Sequence, residues 1–284
     1  MKINKDSNFL IVGLGLMGGS YAERLTSAGY KVRAIDINKE SILIGQKRKI
    51  ILNKDESEEE LISEADFIIL ALFPSLCVNW VKENLRFFKK NVIITDMMGV
   101  KSNYISSIQD LLSEEQEFIS MHPMTGKESS GVANSSENIF NSSNMIIIPT
   151  DKNTSNGLEF AYSLAKMLNV KNINELSPTA HDKIVGYVSH LSHIIAVTLM
   201  NSFDDSSLNK FAGTSFKEVT RIANINEEIW SELFIGNKKE LLPLIESYQE
   251  QLELMRKAIE CEDIEKVKEI LKSSRIRRQN FNKD

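Results

Sequence analysis

Residues 9–36 decide the fold. Phe9-Leu10-Ile11-Val12 runs straight into Gly13-Leu14-Gly15-Leu16-Met17-Gly18, and Val32-Arg33-Ala34-Ile35 ends on Asp36. The four apolar residues read as a buried strand, Met17 to Ser27 as a helix closed by Gly29, and Val32 to Ile35 as a second strand. A GxGxxG pattern is weak alone, but between a strand and a helix it acquires a mechanism. Gly13 permits the tight turn, Gly15 lets the backbone approach a pyrophosphate, and Gly18 lets helix and strand pack closely. Leu14, Leu16 and Met17 complete the loop, and the helix N-terminus offers N–H groups and partial positive charge to phosphates. A carboxylate at Asp36 can accept from both hydroxyls of a ribose and repels a 2′-phosphate. The expected cofactor is therefore NAD, with Lys39 the one nearby feature pulling toward NADP.

Further along, Phe67 to Leu72, Val92 to Thr95, Phe118 to Met121 and Met145 to Ile148 are short apolar runs, with helical spacing between several of them. Runs without polar alternation, separated by helices, indicate a parallel sheet covered on both faces. This is the doubly wound α/β class. The character changes near Ser177-Pro178, where Ser can cap a helix and Pro fits its first position. Beyond it helical periodicity dominates, so the predicted domains are residues 1–174 and an all-helical 175–284. Leu241, Leu244, Ile245, Tyr248, Leu252, Met255 and Ile259 form one apolar stripe, with Pro243 tolerated near the helix start. That stripe reads as core or as an interface between subunits. Asp55 to Glu60 reads as a solvated helix start, Asn134 to Asn144 as a surface loop or ragged helix end, and Arg275 to Arg278 as a solvated helix end.

Composition narrows the function. The chain has 284 residues, 42% hydrophobic and 26% charged, with Lys+Arg 34 against Asp+Glu 39 and a net charge of −5. A globular, mildly acidic chain without a basic block is not expected to bind nucleic acid or an anionic membrane. The longest apolar runs fall far short of the ~20 residues of a membrane span, and the N-terminus lacks the order of a signal peptide. Cys77 and Cys261 stand far apart in no CxxC cluster, which suits a reducing cytoplasm.

Of four histidines, His122 follows a strand and opens His122-Pro123-Met124-Thr125-Gly126. Strand carboxyl ends face the ligand crevice of an open α/β sheet, so a neutral imidazole there can take a proton from a substrate hydroxyl while hydride leaves for nicotinamide. His181, His190 and His193 lie on the helix that starts at Pro178. Ser189 and His193, four apart, share a face, with His190 turned about 100° away from Ser189. His181 reads as a capped or core histidine. His190-x-x-His193 lacks an adjacent Glu and a third ligand, so no metal is expected.

Gly13 to Gly19, Met121 to Gly131, His181-Asp182 through Ser189-His190-Leu191-Ser192-His193, and Phe216 to Ala223 followed by Trp230 together resemble the prephenate dehydrogenase family of tyrosine biosynthesis. The resemblance runs from about residue 9 to about residue 245. It implies a Rossmann domain followed by a helical domain that pairs two subunits into a homodimer. It also implies NAD-dependent oxidative decarboxylation of prephenate to 4-hydroxyphenylpyruvate. By similarity His122 draws off the proton of the ring C4 hydroxyl, and Arg221 pairs with a substrate carboxylate, a task for a planar bidentate donor. Ser189 and His193 would line the substrate pocket, with Thr125 and Trp230 as further candidates for its wall.

The family often reads Asp-x-Gly-Ser-Val-Lys where this chain has Asp96-Met97-Met98-Gly99-Val100-Lys101, so Gly99 removes one hydroxyl expected near nicotinamide and substrate. Ser192 stands at a common Pro. Arogenate, with an amino group in place of the side-chain keto group, is the alternative substrate. A 3-hydroxyacid dehydrogenase shares the glycine loop but needs a Gly-x-x-x-Lys helix, which Gly236-Asn237-Lys238 does not supply. A nucleotide-sensing protein without turnover would need neither His122 nor Arg221.

Overall fold

The computed structural model describes residues 3–102, 104–127, 129–205 and 207–281. It forms two compact units, one ending at Asn237 and one beginning at Lys238.

In the first unit, β1 (Asn8–Val12), β2 (Lys31–Ile35), β3 (Phe67–Leu70), β4 (Ile93–Asp96) and β5 (Glu117–Phe118) make one parallel sheet in the order β2-β1-β3-β4-β5. Neighbouring side chains on a strand face opposite sides. Phe9 and Ile11 therefore pack with Tyr21, Leu25, Phe67 and Phe160 on one face, and Leu10 and Val12 with Ile68, Leu70, Val81 and Ile108 on the other. Both faces are dry, as the unbroken apolar runs required. The helices around the sheet are α1 (Leu16–Ser27), α2 (Lys39–Lys47), α3 (Glu58–Glu64), α4 (Pro74–Asn84), α5 (Ile105–Gln109) and α6 (Ser155–Met167). The acidic run starts α3 as expected, with Ser57 and Glu60 closing a capping box.

The sequence reading put Phe118–Met121 and Met145–Ile148 in the parallel sheet, and here the structure differs. The chain leaves that sheet after β5 and starts a second one, β6 (Ser120–Pro123), β7 (Asn144–Ile148) and β8 (Asn172–Glu175). Strand β7 pairs antiparallel with β6. A parallel return needs a crossover, usually helical, and the described residues of 124–143 supply only two short 3-10 turns, Val132–Asn134 and Glu137–Phe140. Strand β8 is half-exposed and too polar to have been found from its pattern.

Next come α7 (Pro178–Val185), a π-helical turn at Gly186–Leu191, α8 (Ser192–Asn201), α9 (Thr214–Thr220) and α10 (Glu227–Gly236). Ser177 caps α7 by accepting from Ala180 N, with Pro178 at the first position. Helices α7 to α10 share the compact unit of the sheet. By length and composition alone, the continuous 24-residue stretch Pro178–Asn201 could cross a membrane, a point a search for unbroken apolar runs passes over. It carries His181, Asp182, Lys183, His190 and His193. The second unit is the pair α11 (Lys238–Glu260) and α12 (Ile264–Phe281), with Pro243 inside α11.

Candidate active site

The strand order reverses between β1 and β3, and the glycine loop leaves β1 there, where α/β sheets bind ligands. Gly13 has φ +92°, and a Cβ on it would fall 2.4 Å from the Ala71 carbonyl oxygen. A Cβ on Gly18 would fall 1.9 Å from the Gly13 carbonyl oxygen, so loop and helix touch backbone to backbone. Gly15 is the N-cap of α1 and has open space within 4 Å of its would-be Cβ. It offers no side chain to the first turn, whose N–H groups suit an anion from outside the chain. Asp36 closes β2 with one carboxylate oxygen accepting from Leu14 N at 2.6 Å and the other from Asn38 N at 2.7 Å. A carboxylate has about four acceptor positions, so each oxygen keeps one for a ribose hydroxyl. This cradle fits NAD.

At the carboxyl end of β4 and the start of β6 a polar knot fixes the neighbouring strands. Buried Asp96 accepts from Met98 N, Lys101 Nζ, the Tyr104 hydroxyl, Ser120 Oγ and Met121 N. The Lys101 ammonium is fully buried, 2.5 Å from Asp96, and also donates to the Met121 carbonyl at 2.8 Å. Burial pushes the Lys101 amine downward, against the pull of Asp96. The knot ties down the residues immediately before His122.

His122, half-buried on β6, places Nδ1 2.8 Å from Nε2 of the buried His181. His181 Nδ1 lies 2.8 Å from Asp182 Oδ1, and the Asp182 carboxylate also accepts from Lys101 N at 2.9 Å and Ser102 N at 2.8 Å. These contacts determine the tautomers. Burial raises the Asp182 carboxyl, but bonds from His181 and Ser102 outweigh it and hold the group below its usual range. As a carboxylate it only accepts, so His181 carries its proton on Nδ1 and presents a lone pair at Nε2. His122 must then donate from Nδ1, which leaves Nε2 as the basic nitrogen. Burial, then the charges of His181, Lys101 and His190, hold the His122 imidazole well below its ordinary value, so it is neutral at pH 7.

By sequence His181 is a capped or core histidine. The structure makes it the partner of His122. The feature that pattern reading missed is the π-helical turn. In a regular α-helix at about 100° per residue, Ser189 lies about 80° and His193 about 120° around from His181. A π turn takes up one extra residue and sets the positions after it back by about 100°, which brings His193 to within about 20° of His181 around the helix.

Helix α10 closes another side. Trp230 stacks on His193 with centroids 3.6 Å apart, and His193 Nδ1 donates to the Ser189 carbonyl at 2.9 Å. Leu233 fills the place where Gly99 lacks a side chain: a Cβ at Gly99 would stand 3.2 Å from Leu233 Cδ2 and 3.8 Å from His122 Cε1. Glu232 reaches back to Ser75, accepting from its N at 3.0 Å and its Oγ at 2.8 Å. Thr125 Oγ1 donates to the Ile139 carbonyl at 2.9 Å, so its proton is committed within its own loop. Exposed Arg221 opens a 3-10 turn, Arg221–Ala223, that packs against α8, the helix of His193. His122 thus meets His181 directly and has Gly99 beside its ring, while Trp230 and His193 meet each other.

Two family models match this chain. One, described as the nucleotide-binding domain of prephenate dehydrogenase, spans residues 21–174, and the other, its dimerization domain, spans residues 177–273. The chain belongs to the prephenate dehydrogenase family. The prephenate dehydrogenase of Bacillus subtilis is 27% identical over 274 residues, 94% of this chain and 74% of that protein. That of Lactococcus lactis is 29% identical over 281 residues, 95% and 76%. The solved prephenate dehydrogenase of Aquifex aeolicus, in complex with hydroxyphenyl propionate and NAD+, superposes with a TM-score of 0.89 at 29% identity, covering 99% of this chain and 100% of that one. In this prephenate dehydrogenase family member, Gly99 and its apolar neighbour Leu233 form the wall beside His122.

Proposed function

We propose that this protein is an NAD-dependent prephenate dehydrogenase that forms 4-hydroxyphenylpyruvate in tyrosine biosynthesis. The observation that carries the reading is the Asp182–His181–His122 chain, which leaves His122 Nε2 unprotonated on β6. Bound NAD+ supplies the hydride acceptor, held by the Gly13–Gly18 loop, the N-terminus of α1 and Asp36. His122 Nε2 accepts a hydrogen bond from the C4 hydroxyl and takes its proton as the C4–H bond breaks. The positive imidazole is stabilised through Nδ1–H by His181 and, behind it, the Asp182 carboxylate. Release of the C1 carboxylate as carbon dioxide sends its bonding pair into the ring, which becomes aromatic. The resulting phenolate oxygen recovers the proton from His122. Prephenate and NAD+ thus become 4-hydroxyphenylpyruvate, carbon dioxide and NADH with no net proton change.

Arg221 is assigned to a substrate carboxylate, and Ser189, His193, Thr125 and Trp230 to the pocket wall. Residues 1–174 would form the cofactor domain and residues 175–284 the helical substrate and dimerisation domain. Exposed Leu252, Ile259, Ile264, Leu271 and Phe281 on α11 and α12 support a homodimer. Free Cys77 and Cys261 support a cytoplasmic location, and the net charge of −5 without a basic block supports the reading that neither nucleic acid nor an anionic membrane is a partner. The test is NADH formation with prephenate and with arogenate under the same conditions. The reading predicts the higher kcat/KM for prephenate, and a strong preference for arogenate overturns that substrate.

A further inference from the structure

Asn237, the C-cap of α10, is buried, and its amide nitrogen lies 2.8 Å from the Asp182 carbonyl oxygen and 3.1 Å from His190 Nδ1. A backbone carbonyl only accepts, so the atom facing it is the NH2 of the amide, and the orientation of Asn237 is settled. The second N–H of that NH2 points at His190 Nδ1, which must therefore be the unprotonated nitrogen. Burial holds His190 at about 4, so the ring is neutral and its proton sits on Nε2.

The two partners of Asn237 stand on either side of the π-helical turn. Asp182 precedes it in α7, and His190 lies inside it near its end. A π turn is a rare, isolated feature of helices. If this one relaxed to α geometry, everything after it would rotate by about 100° relative to His181, and His193 would leave the face it shares with it. The His190 ring also meets Trp230 and Phe234 edge-on, with centroids 6.0 Å and 6.1 Å away. One buried amide thus joins the residue carrying the relay carboxylate, the π turn, and the helix that brings Trp230 and Leu233 to the site.

We propose that Asn237 is a positioning residue of the active site. It braces the π-helical turn across Asp182 and His190, fixes His190 as a neutral Nε2–H donor, and so keeps His181 in register with His193. The inference rests on the dehydrogenase reading for its kinetic consequence and on geometry alone for its tautomer.

Two measurements separate these. The first is long-range 1H–15N correlation on histidine-labelled protein without substrate, which reads the tautomer of each ring. Wild type is expected to carry the His190 proton on Nε2, and Asn237→Asp, whose carboxylate can only accept, to move it to Nδ1. The second is steady-state kinetics with prephenate and NAD. Asn237→Asp and Asn237→Ala are expected to lower kcat tenfold or more at an unchanged Kd for NAD. A wild-type His190 proton on Nδ1 overturns the proposal even where neither variant folds. Folded variants with wild-type kcat and KM for prephenate overturn it as well. The spectrum needs no turnover, so failure of the substrate assignment is seen separately.

Discussion

Asp182→Asn changes one atom in a fully committed hydrogen-bond set, and its consequence can be followed atom by atom. Asp182 Oδ1 accepts from His181 Nδ1 and Lys101 N, and Oδ2 accepts from Ser102 N. An amide must turn its NH2 toward one side or the other. Facing Ser102, it opposes one N–H with another. Facing His181 and Lys101, it opposes a backbone N–H and presents a donor to the imidazole. The second orientation drives His181 to the tautomer protonated on Nε2, and His122 must then accept at Nδ1 and carry its proton on Nε2. There the base is blocked where the substrate hydroxyl needs it; in the first orientation His181 keeps its tautomer, but the negative charge that stabilises the protonated His122 is gone. A wrong tautomer behind a catalytic imidazole costs roughly 10³–10⁴ in kcat, about 4–5 kcal/mol of barrier. The assay is initial-rate NADH formation with saturating prephenate, alongside NAD binding by fluorescence titration and thermal unfolding. The expected result is that loss in kcat with NAD affinity unchanged. A folded Asp182→Asn enzyme within threefold of wild type refutes the tautomer argument.

Other outcomes follow from the same geometry. The acid limb of kcat/KM should fall below the ordinary imidazole value of 6.5, because burial disfavours the protonated His122, and a pH–rate profile checks this. Folding stability should decline on the same side. Folded His190 sits at about 4 against 6.5 when unfolded, so the unfolded chain binds more protons as pH drops. From pH 7 to pH 5 that one ring removes about 2 kcal/mol, measurable by urea titration. Arg221→Lys keeps the charge but loses the planar fork, and should raise KM for prephenate about tenfold or more while leaving NAD binding alone. Gly99→Ser should lower kcat/KM several-fold, because the new Cβ crowds Leu233 at 3.2 Å, and a double variant that adds Leu233→Ala should recover part of the loss.

The dinucleotide half was legible because its signals are local. Phe9 to Val12 is a buried strand on any face, Gly13 sits at a positive φ, and Ser177-Pro178 begins a helix by its own chemistry. The second sheet was not legible, because leaving the parallel sheet at Ile119 depends on the connection that follows and not on the strand's own residues. At the site, the sequence places His122 just past a strand of the parallel sheet, whereas it lies within β6 of the second sheet, paired with Ile146. Its dependence on His181 was not legible either, since an α-helical wheel turns His181 away from His193. The side-chain pattern does not announce the extra residue in the π turn. Asn237 was equally hidden, a polar residue at a helix end whose partners lie 55 and 47 residues away in the chain.

The central claim is that His122 Nε2 removes the substrate proton while the glycine loop holds the cofactor independently of it. The most direct test is His122→Asn, assayed for NADH formation from prephenate and for NAD binding in the same preparation. Turnover should fall by roughly 10²–10⁴ with the Kd for NAD unchanged. A variant that turns over prephenate at the wild-type rate would contradict it.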